Sequence, residues 1–261
     1  MVVIKMNEKS IKYLREKVFK TDEYYQFELL FRQAREIEKK ATSPIGILER
    51  AYIYNGKSIF SSVFSKNEIV PIDYRPSSSK EREGFQSAWL EKAGLNCLSA
   101  ASSIIDTGES FVFKLQNKKI RTLFIPNVLH HCRDFPELLK GVKSRLPALK
   151  KIYVFDSYIR ENHQDPDDFC RYTPSALEVA LKRIGFKEIS REESGNVFDC
   201  ILYFISQAEE NLKKPENKEL KSSINKALPF LRQKRTNKNY RTLGRKYASA
   251  ATSYSMCFKK I

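Results

Sequence analysis

Two rhythms of hydrophobic and polar positions divide the chain. From Ile120 to Ile205, unbroken apolar runs alternate with segments whose apolar residues recur every three to four positions. IRTLFIPNVLHH (Ile120 to His131) is a run of the first kind, closing on Asn127, His130 and His131, and it suits a strand buried on both faces. DFPELLKGVKSRL (Asp134 to Leu146) sets Leu138, Leu139, Val142 and Leu146 at helical spacing, and KKIYVFDS (Lys150 to Ser157) is the next buried strand, with Asp156 at its exit. A long polar turn, a helix ending in Gly185 and Phe186, and a final strand pair running into FDCILYFIS complete what reads as the back half of a parallel α/β domain. Open sheets of this kind bind ligands at the carboxyl ends of their strands, where the Asn, the two His and the Asp stand.

The front of the chain carries the helical rhythm first. Between Thr21 and Thr42, the residues Tyr24, Phe27, Leu30, Phe31, Ala34 and Ile37 lie on one stripe with charges opposite, which predicts an amphipathic helix packed on the sheet. RAYIYNGKSIFSSVF (Arg50 to Phe64) stands where the first strand and its turn are expected, with Gly56 in the turn. NEIVPIDYRP (Asn67 to Pro76) reads as a short apolar strand that delivers Asp73, and Asp106 falls near the end of a third strand. The expected division is residues 1–42 as an N-terminal helical segment, 43–208 as the α/β domain and 209–261 as a basic C-terminal extension. Within that extension, Tyr247 to Phe258 is small and apolar enough to return as a strand or a docking segment.

The order IPNVLHH, helix, YVFDS, the H-x-x-P-x-D-x-x-R-Y-T segment (His163, Pro166, Asp168, Arg171, Tyr172, Thr173) and a helix ending in GF resembles class I S-adenosylmethionine-dependent methyltransferases, near the methyltransferase type 11 group. The resemblance spans about Ile69 to Gln207. It implies a Rossmann-like, mostly parallel sheet with an antiparallel final strand and helices on both faces. It also implies S-adenosylmethionine as cofactor, with Gly56, Asp73, Asp106, Asn127 and His130 around it and Asp73 on the ribose hydroxyls. His131 or His163 would act as base, and Asp168, Arg171 and Tyr172 would bind the acceptor. The implied reaction is methylation of a small-molecule or saccharide-type hydroxyl. A hydroxyl profits from a general base, and histidine is the side chain that titrates nearest neutrality.

Several of these residues have a second reading in the sequence itself. Arg171, with five donors in a planar fork, could grip a substrate anion or pair with Asp167 or Asp168 to hold its own loop. Thr173 followed by Pro174 is the signature of a helix N-cap and first turn. Cys132 beside His131 suggests a nucleophile and base, but sequence neighbours on alternating sides rarely form such a pair. His131, His163, Asp156 and Asp168 could converge on a metal, yet no His-x-x-x-His or Cys-x-x-Cys spacing is present and no metal is expected. The family's first turn is glycine-rich, whereas here Gly56 stands alone, which keeps a catalytically inactive, methyltransferase-like scaffold as the alternative.

Charge adds a further alternative. The net charge is +16, and Glu209 to Ile261 holds 14 Lys or Arg against 4 Asp or Glu. RQKRTNKNYRTLGRK (Arg232 to Lys246), with Tyr240 among its cations, could neutralise phosphates and stack a base, or could simply be a solvated surface. The fourth strand ends in IPNVLHH rather than Asn-Pro-Pro-Tyr, so methylation of a base amino group is disfavoured and a small-molecule or glycan acceptor is expected. Five cysteines without paired spacing point to a reducing compartment, and neither a signal-peptide core nor a run near the ~20 residues of a membrane span is present, so a cytoplasmic location is expected.

Overall fold

Strands alternate their side chains between two faces, so a strand buried on both needs apolar residues at every position. The computed structural model shows this in the strands formed by Thr122–Pro126 and Lys151–Ser157, where all five and six of seven residues are buried. The structure describes residues 12, 16, 27–42, 44–48, 53–54, 57–58, 60, 63–64, 66–73, 98–99, 104–105, 119–132, 135–160, 168–236 and 251–261. Seven strands make the main sheet: β1 (Ile45–Leu48), β2 (Ile69–Asp73), β3 (Ile104–Ile105), β4 (Thr122–Pro126), β5 (Lys151–Ser157), β6 (Phe186–Ser194) and β7 (Ser253–Lys260). Their spatial order is β3-β2-β1-β4-β5-β7-β6. Neighbours are parallel from β3 to β5, and β7 runs antiparallel to both β5 and β6.

Each face has its own core. Helix α1 (Phe27–Lys40) buries Phe27, Leu30, Phe31, Ala34 and Ile37, five of the six expected stripe residues, against Ile45, Ile47, Phe124, Tyr153 and Phe155. Tyr24 lies outside the described residues. Gln33 is buried on the same helix and donates from Nε2 to the carbonyls of Val154 and Met256 at 3.0 and 3.1 Å, tying α1 to β5 and β7. The opposite face packs Leu123, Ile125, Ile152, Val154 and Met256 beneath α2 (Phe135–Arg145) and α3 (Pro174–Arg183). All four predicted core residues of α2, Leu138, Leu139, Val142 and Leu146, are buried there. The chain thus forms a Rossmann-like α/β sheet with helices on both faces.

Two local readings of the sequence are corrected. The first strand of the main sheet is Ile45–Leu48, not the Arg50 to Phe64 region, whose Ile53–Tyr54 and Lys57–Ser58 pair with Leu98–Ser99 in a separate three-stranded sheet. Gly46 explains how so short a strand packs: a Cβ there would meet Ile120 and Ile72 at 3.1 to 3.2 Å, so hydrogen lets the neighbouring chains close in. The second correction concerns FDCILYFIS, which is helical. Asn196 accepts the N–H groups of Phe198 and Asp199 through Oδ1, and Asp199 accepts the Asn196 N–H, a reciprocal cap that starts α4 (Val197–Gln207). The sheet takes its antiparallel strand instead from β7, beyond the exposed helix α5 (Lys218–Thr236), so residues past Ala208 contribute a central strand. Among the described residues no helix is long and apolar enough to cross a membrane.

Candidate functional site

Strand order reverses between β1 and β4, so the connections leaving these neighbours diverge and a crevice opens at their carboxyl ends. Four polar residues from the ends of β4 and β5 are buried beside it: Asn127, His130, Asp156 and Ser157. Asn127 follows β4 directly and has a φ of 51°, the left-handed backbone that Asn tolerates better than most residues. That geometry turns the chain sharply out of the strand, while the Asn127 N–H still donates to the Phe155 carbonyl at 2.6 Å. Its side-chain Oδ1 accepts from the Ser157 hydroxyl at 3.1 Å.

The turn then becomes a short 3-10 helix, Leu129–His131, carrying both histidines. Nδ1 of His130 lies 3.1 Å from Oδ1 of Asp156, and the same oxygen accepts the Ser157 backbone N–H at 2.8 Å. Oδ2 of Asp156 is buried and takes no hydrogen bond among the described residues. The rings of His130 and His131 are stacked at a tilt, 4.1 Å between centroids, and both are buried. Two cross-strand ties, Asn127 to Ser157 and His130 to Asp156, thus staple the carboxyl ends of β4 and β5.

The segment before α3 packs on this edge. The Phe169 N–H donates to the His130 carbonyl at 2.8 Å, and the Cys170 thiol lies 3.7 Å from the Leu129 carbonyl. Arg171 turns both terminal nitrogens onto Asp168, NH2 reaching Oδ2 at 2.8 Å, and NH1 also donates to the Cys170 carbonyl. The hydrogen bond to Asp168 raises the guanidinium above its already high range. Tyr172 packs its ring on Phe135 at 4.6 Å, and its carbonyl accepts the Tyr254 hydroxyl at 2.8 Å. Burial pushes the Tyr172 phenol well above its usual range and the Cys170 thiol up as well, so neither is an anion near neutrality. Thr173 accepts the Ala176 N–H as N-cap of α3, with Pro174 in the first turn, as its sequence predicts.

Asn127, His130, His131, Asp168, Arg171 and Tyr172 therefore gather at one edge of the sheet. Asp73 is the last residue of β2, paired in register with Ile105 of β3, also at the carboxyl edge. Gly56, Asp106 and His163 lie outside the described residues, and so does the Arg232 to Lys246 run beyond residue 236. Sequence reasoning singled out neither Ser157 as the partner of Asn127 nor Asp156 as the partner of His130. The available signal was the Asp-Ser pair at the exit of an otherwise apolar strand. Among the described residues, no three His, Cys, Asp or Glu side chains gather where a metal ion could sit.

The strand order, the single antiparallel strand and the polar carboxyl edge define a class of fold. The sequence matches no family model and no curated protein. Among solved structures it is similar to the O-methyltransferase of a trans-AT PKS multienzyme from Brevibacillus brevis, in complex with S-adenosyl-L-homocysteine, at 11% identity over 98% of this chain and 77% of that chain, with a TM-score of 0.50. Haemonchus contortus phosphoethanolamine N-methyltransferase 2, solved with phosphomonomethylethanolamine and S-adenosylhomocysteine, matches at 11% identity over 90% of this chain and 56% of that one, TM-score 0.42. A SAM-dependent methyltransferase from Aquifex aeolicus matches at 13% identity over 72% and 93%, TM-score 0.39. The chain has the fold of the class I S-adenosylmethionine-dependent methyltransferases.

Proposed function

We propose that the protein transfers a methyl group from S-adenosylmethionine to a hydroxyl of a small-molecule or saccharide-type acceptor. The reading rests on one observation above all: the crevice at the β1/β4 reversal is bordered by a rigid, buried polar edge of Asn127, His130, Asp156 and Ser157. The donor chemistry fits the cofactor at β2, where the terminal Asp73 offers an acceptor-only carboxylate suited to two ribose hydroxyls. The fit is poorer after β1, where Glu49 to Asn55 contains no glycine before Gly56.

In this reading Gly56, Asp73, Asp106, Asn127 and His130 line the cofactor, and Asp168, Arg171 and Tyr172 form the acceptor wall. His131 or His163 takes the hydroxyl proton. Bound S-adenosylmethionine supplies an electrophilic methyl group, so the residues of the chain mainly orient the acceptor, exclude water and receive a proton. The Arg171 fork is held by Asp168, and this pairing supports a role in shaping the wall. Titration calorimetry of the full chain with S-adenosylmethionine and S-adenosylhomocysteine is the test. Heat of binding is expected for both, and none at millimolar ligand would sink the enzyme reading. The glycine-poor turn then favours the second reading, a methyltransferase-like scaffold without turnover.

A further inference from the structure

We propose that Asp156 is a positioning residue for this reaction, acting through His130, and that His130 receives the acceptor proton. The inference deepens the methyltransferase reading and rests on it. Oδ1 of Asp156 accepts the Ser157 backbone N–H at 2.8 Å, which fixes that oxygen as an acceptor facing the ring. Nδ1 of His130, 3.1 Å away, is then the donor of the pair. A neutral imidazole carries one N–H, so placing it on Nδ1 makes Nε2 the basic, accepting nitrogen. Both side chains are buried, so bulk water does not exchange the two tautomers at this contact.

The backbone is held as firmly as the ring. His130 sits in a one-turn helix, its carbonyl accepts the Phe169 N–H at 2.8 Å, and Asn127 and Ser157 tie the adjacent strand ends. Of the two described histidines, His130 is the one with a carboxylate on its ring, whereas His131 packs against it at 4.1 Å. In the transfer, the acceptor oxygen forms the new bond to the methyl carbon while the carbon–sulfur bond breaks, its electron pair going to sulfur. The hydroxyl proton passes to Nε2, with Nδ1–H remaining on Asp156. The pair joins the cofactor crevice to the segment from Asp168 to Thr173, because the His130 backbone is the point at which that segment is anchored.

Ring-labelled histidine in the full chain decides the tautomer without any substrate. The nitrogen-15 spectrum of wild type near neutrality is expected to show His130 protonated at Nδ1 alone, assigned by its loss in His130→Gln. In Asp156→Asn, whose amide can donate to the ring, the signature is expected to move to Nε2–H. Production of S-adenosylhomocysteine is then followed with a panel of aliphatic alcohols, phenols and monosaccharides. Asp156→Asn and His130→Gln should lower kcat roughly 10²-fold or more with KM for S-adenosylmethionine nearly unchanged, the scale of general acid–base catalysis. A wild-type ring protonated at Nε2 or averaging between tautomers overturns the proposal whether or not the variants fold. Full kcat in Asp156→Asn overturns it too. A wild type that binds no S-adenosylhomocysteine or methylates nothing in the panel, yet shows the Nδ1–H signature, fails through the methyltransferase reading and takes the catalytic role with it.

Discussion

Arg235 donates from Nε to Oδ1 of Asp199 at 2.7 Å, and the other carboxylate oxygen of Asp199 accepts the Asn196 N–H that opens α4. One buried carboxylate thus caps a helix and docks the end of α5 against its start. Removing the cation leaves that carboxylate buried with fewer donors, which is costlier than losing a surface pair. Arg235→Met is expected to destabilise the fold by about 2–3 kcal/mol, measured by urea unfolding. Asn196→Ala, which removes the cap, should cost about 1 kcal/mol. Equal and negligible effects of both would show that α4 and α5 are held by other contacts.

The left-handed backbone at Asn127 ranks three substitutions. Gly keeps the conformation and loses the bond to Ser157; Ala loses the bond and adds a Cβ penalty of roughly 1–2 kcal/mol; Val adds β-branching to both. Denaturant midpoints should fall in the order Gly, Ala, Val. A glycine variant less stable than the alanine variant would mean that backbone strain is not what selects Asn here.

The parts of this fold legible in the sequence are those in which burial dictates composition. β4, β5, β2, α2 and α1 announce themselves because each must present a fixed apolar rhythm to a core. β1 does not, since four residues with a glycine give no rhythm to read, and the neighbouring Tyr and Ile residues draw attention to a smaller sheet instead. FDCILYFIS is apolar nearly all round, and such a run is equally consistent with strand or helix until the Asn196–Asp199 cap is noticed three residues apart. At the site, residue types and their edge were legible. Their pairing was not, because the Asn127–Ser157 and His130–Asp156 ties join positions 30 and 26 residues apart and depend on strand register.

Burial of acidic protons sets the alkaline limit of stability. Desolvation pushes the Cys200 thiol from 9.0 up to about 11, and burial likewise raises the phenols of Tyr153, Tyr158, Tyr172 and Tyr254. Each group keeps its proton in the folded state and loses it more readily when unfolded. The stability from Cys200 is therefore whole below pH 9 and is lost as pH rises toward about 11, with a slope of about 1.4 kcal/mol per pH unit for one proton. Urea unfolding at a series of pH values should show this decline, and Cys200→Ala should make it shallower between pH 9 and 11. An unchanged slope would remove Cys200 from the account.

Asp73 tests the front half of the crevice, where the sequence departs most from the glycine-rich pattern. If its carboxylate takes ribose hydroxyls, Asp73→Ala should weaken S-adenosylhomocysteine binding by ~1–3 kcal/mol, the range for hydrogen bonds to a charged group. Asp73→Asn should fall between the two because it keeps one acceptor. Calorimetry showing wild-type affinity in the alanine variant, with unchanged melting, would assign Asp73 to the turn that follows β2.

The basic surface calls for a gentler test than truncation, because any deletion reaching the chain end removes β7 from the centre of the sheet. Helix α5 carries six Lys or Arg against one Glu, and Lys218, Lys221 and Lys226 are exposed on it. Exposed cations attract polyanions without selecting a sequence, and each phosphate they neutralise steepens the salt dependence. Weak binding of single-stranded RNA at low salt is therefore expected, lost by roughly 0.2 M salt. Changing the three lysines to serine should weaken it and flatten the slope of log K against log salt by up to about 0.7 per contact removed, with the melting temperature preserved. A complex that persists in high salt, or that ignores these changes, would mean recognition by something other than diffuse charge and would reopen nucleic acid as the methyl acceptor.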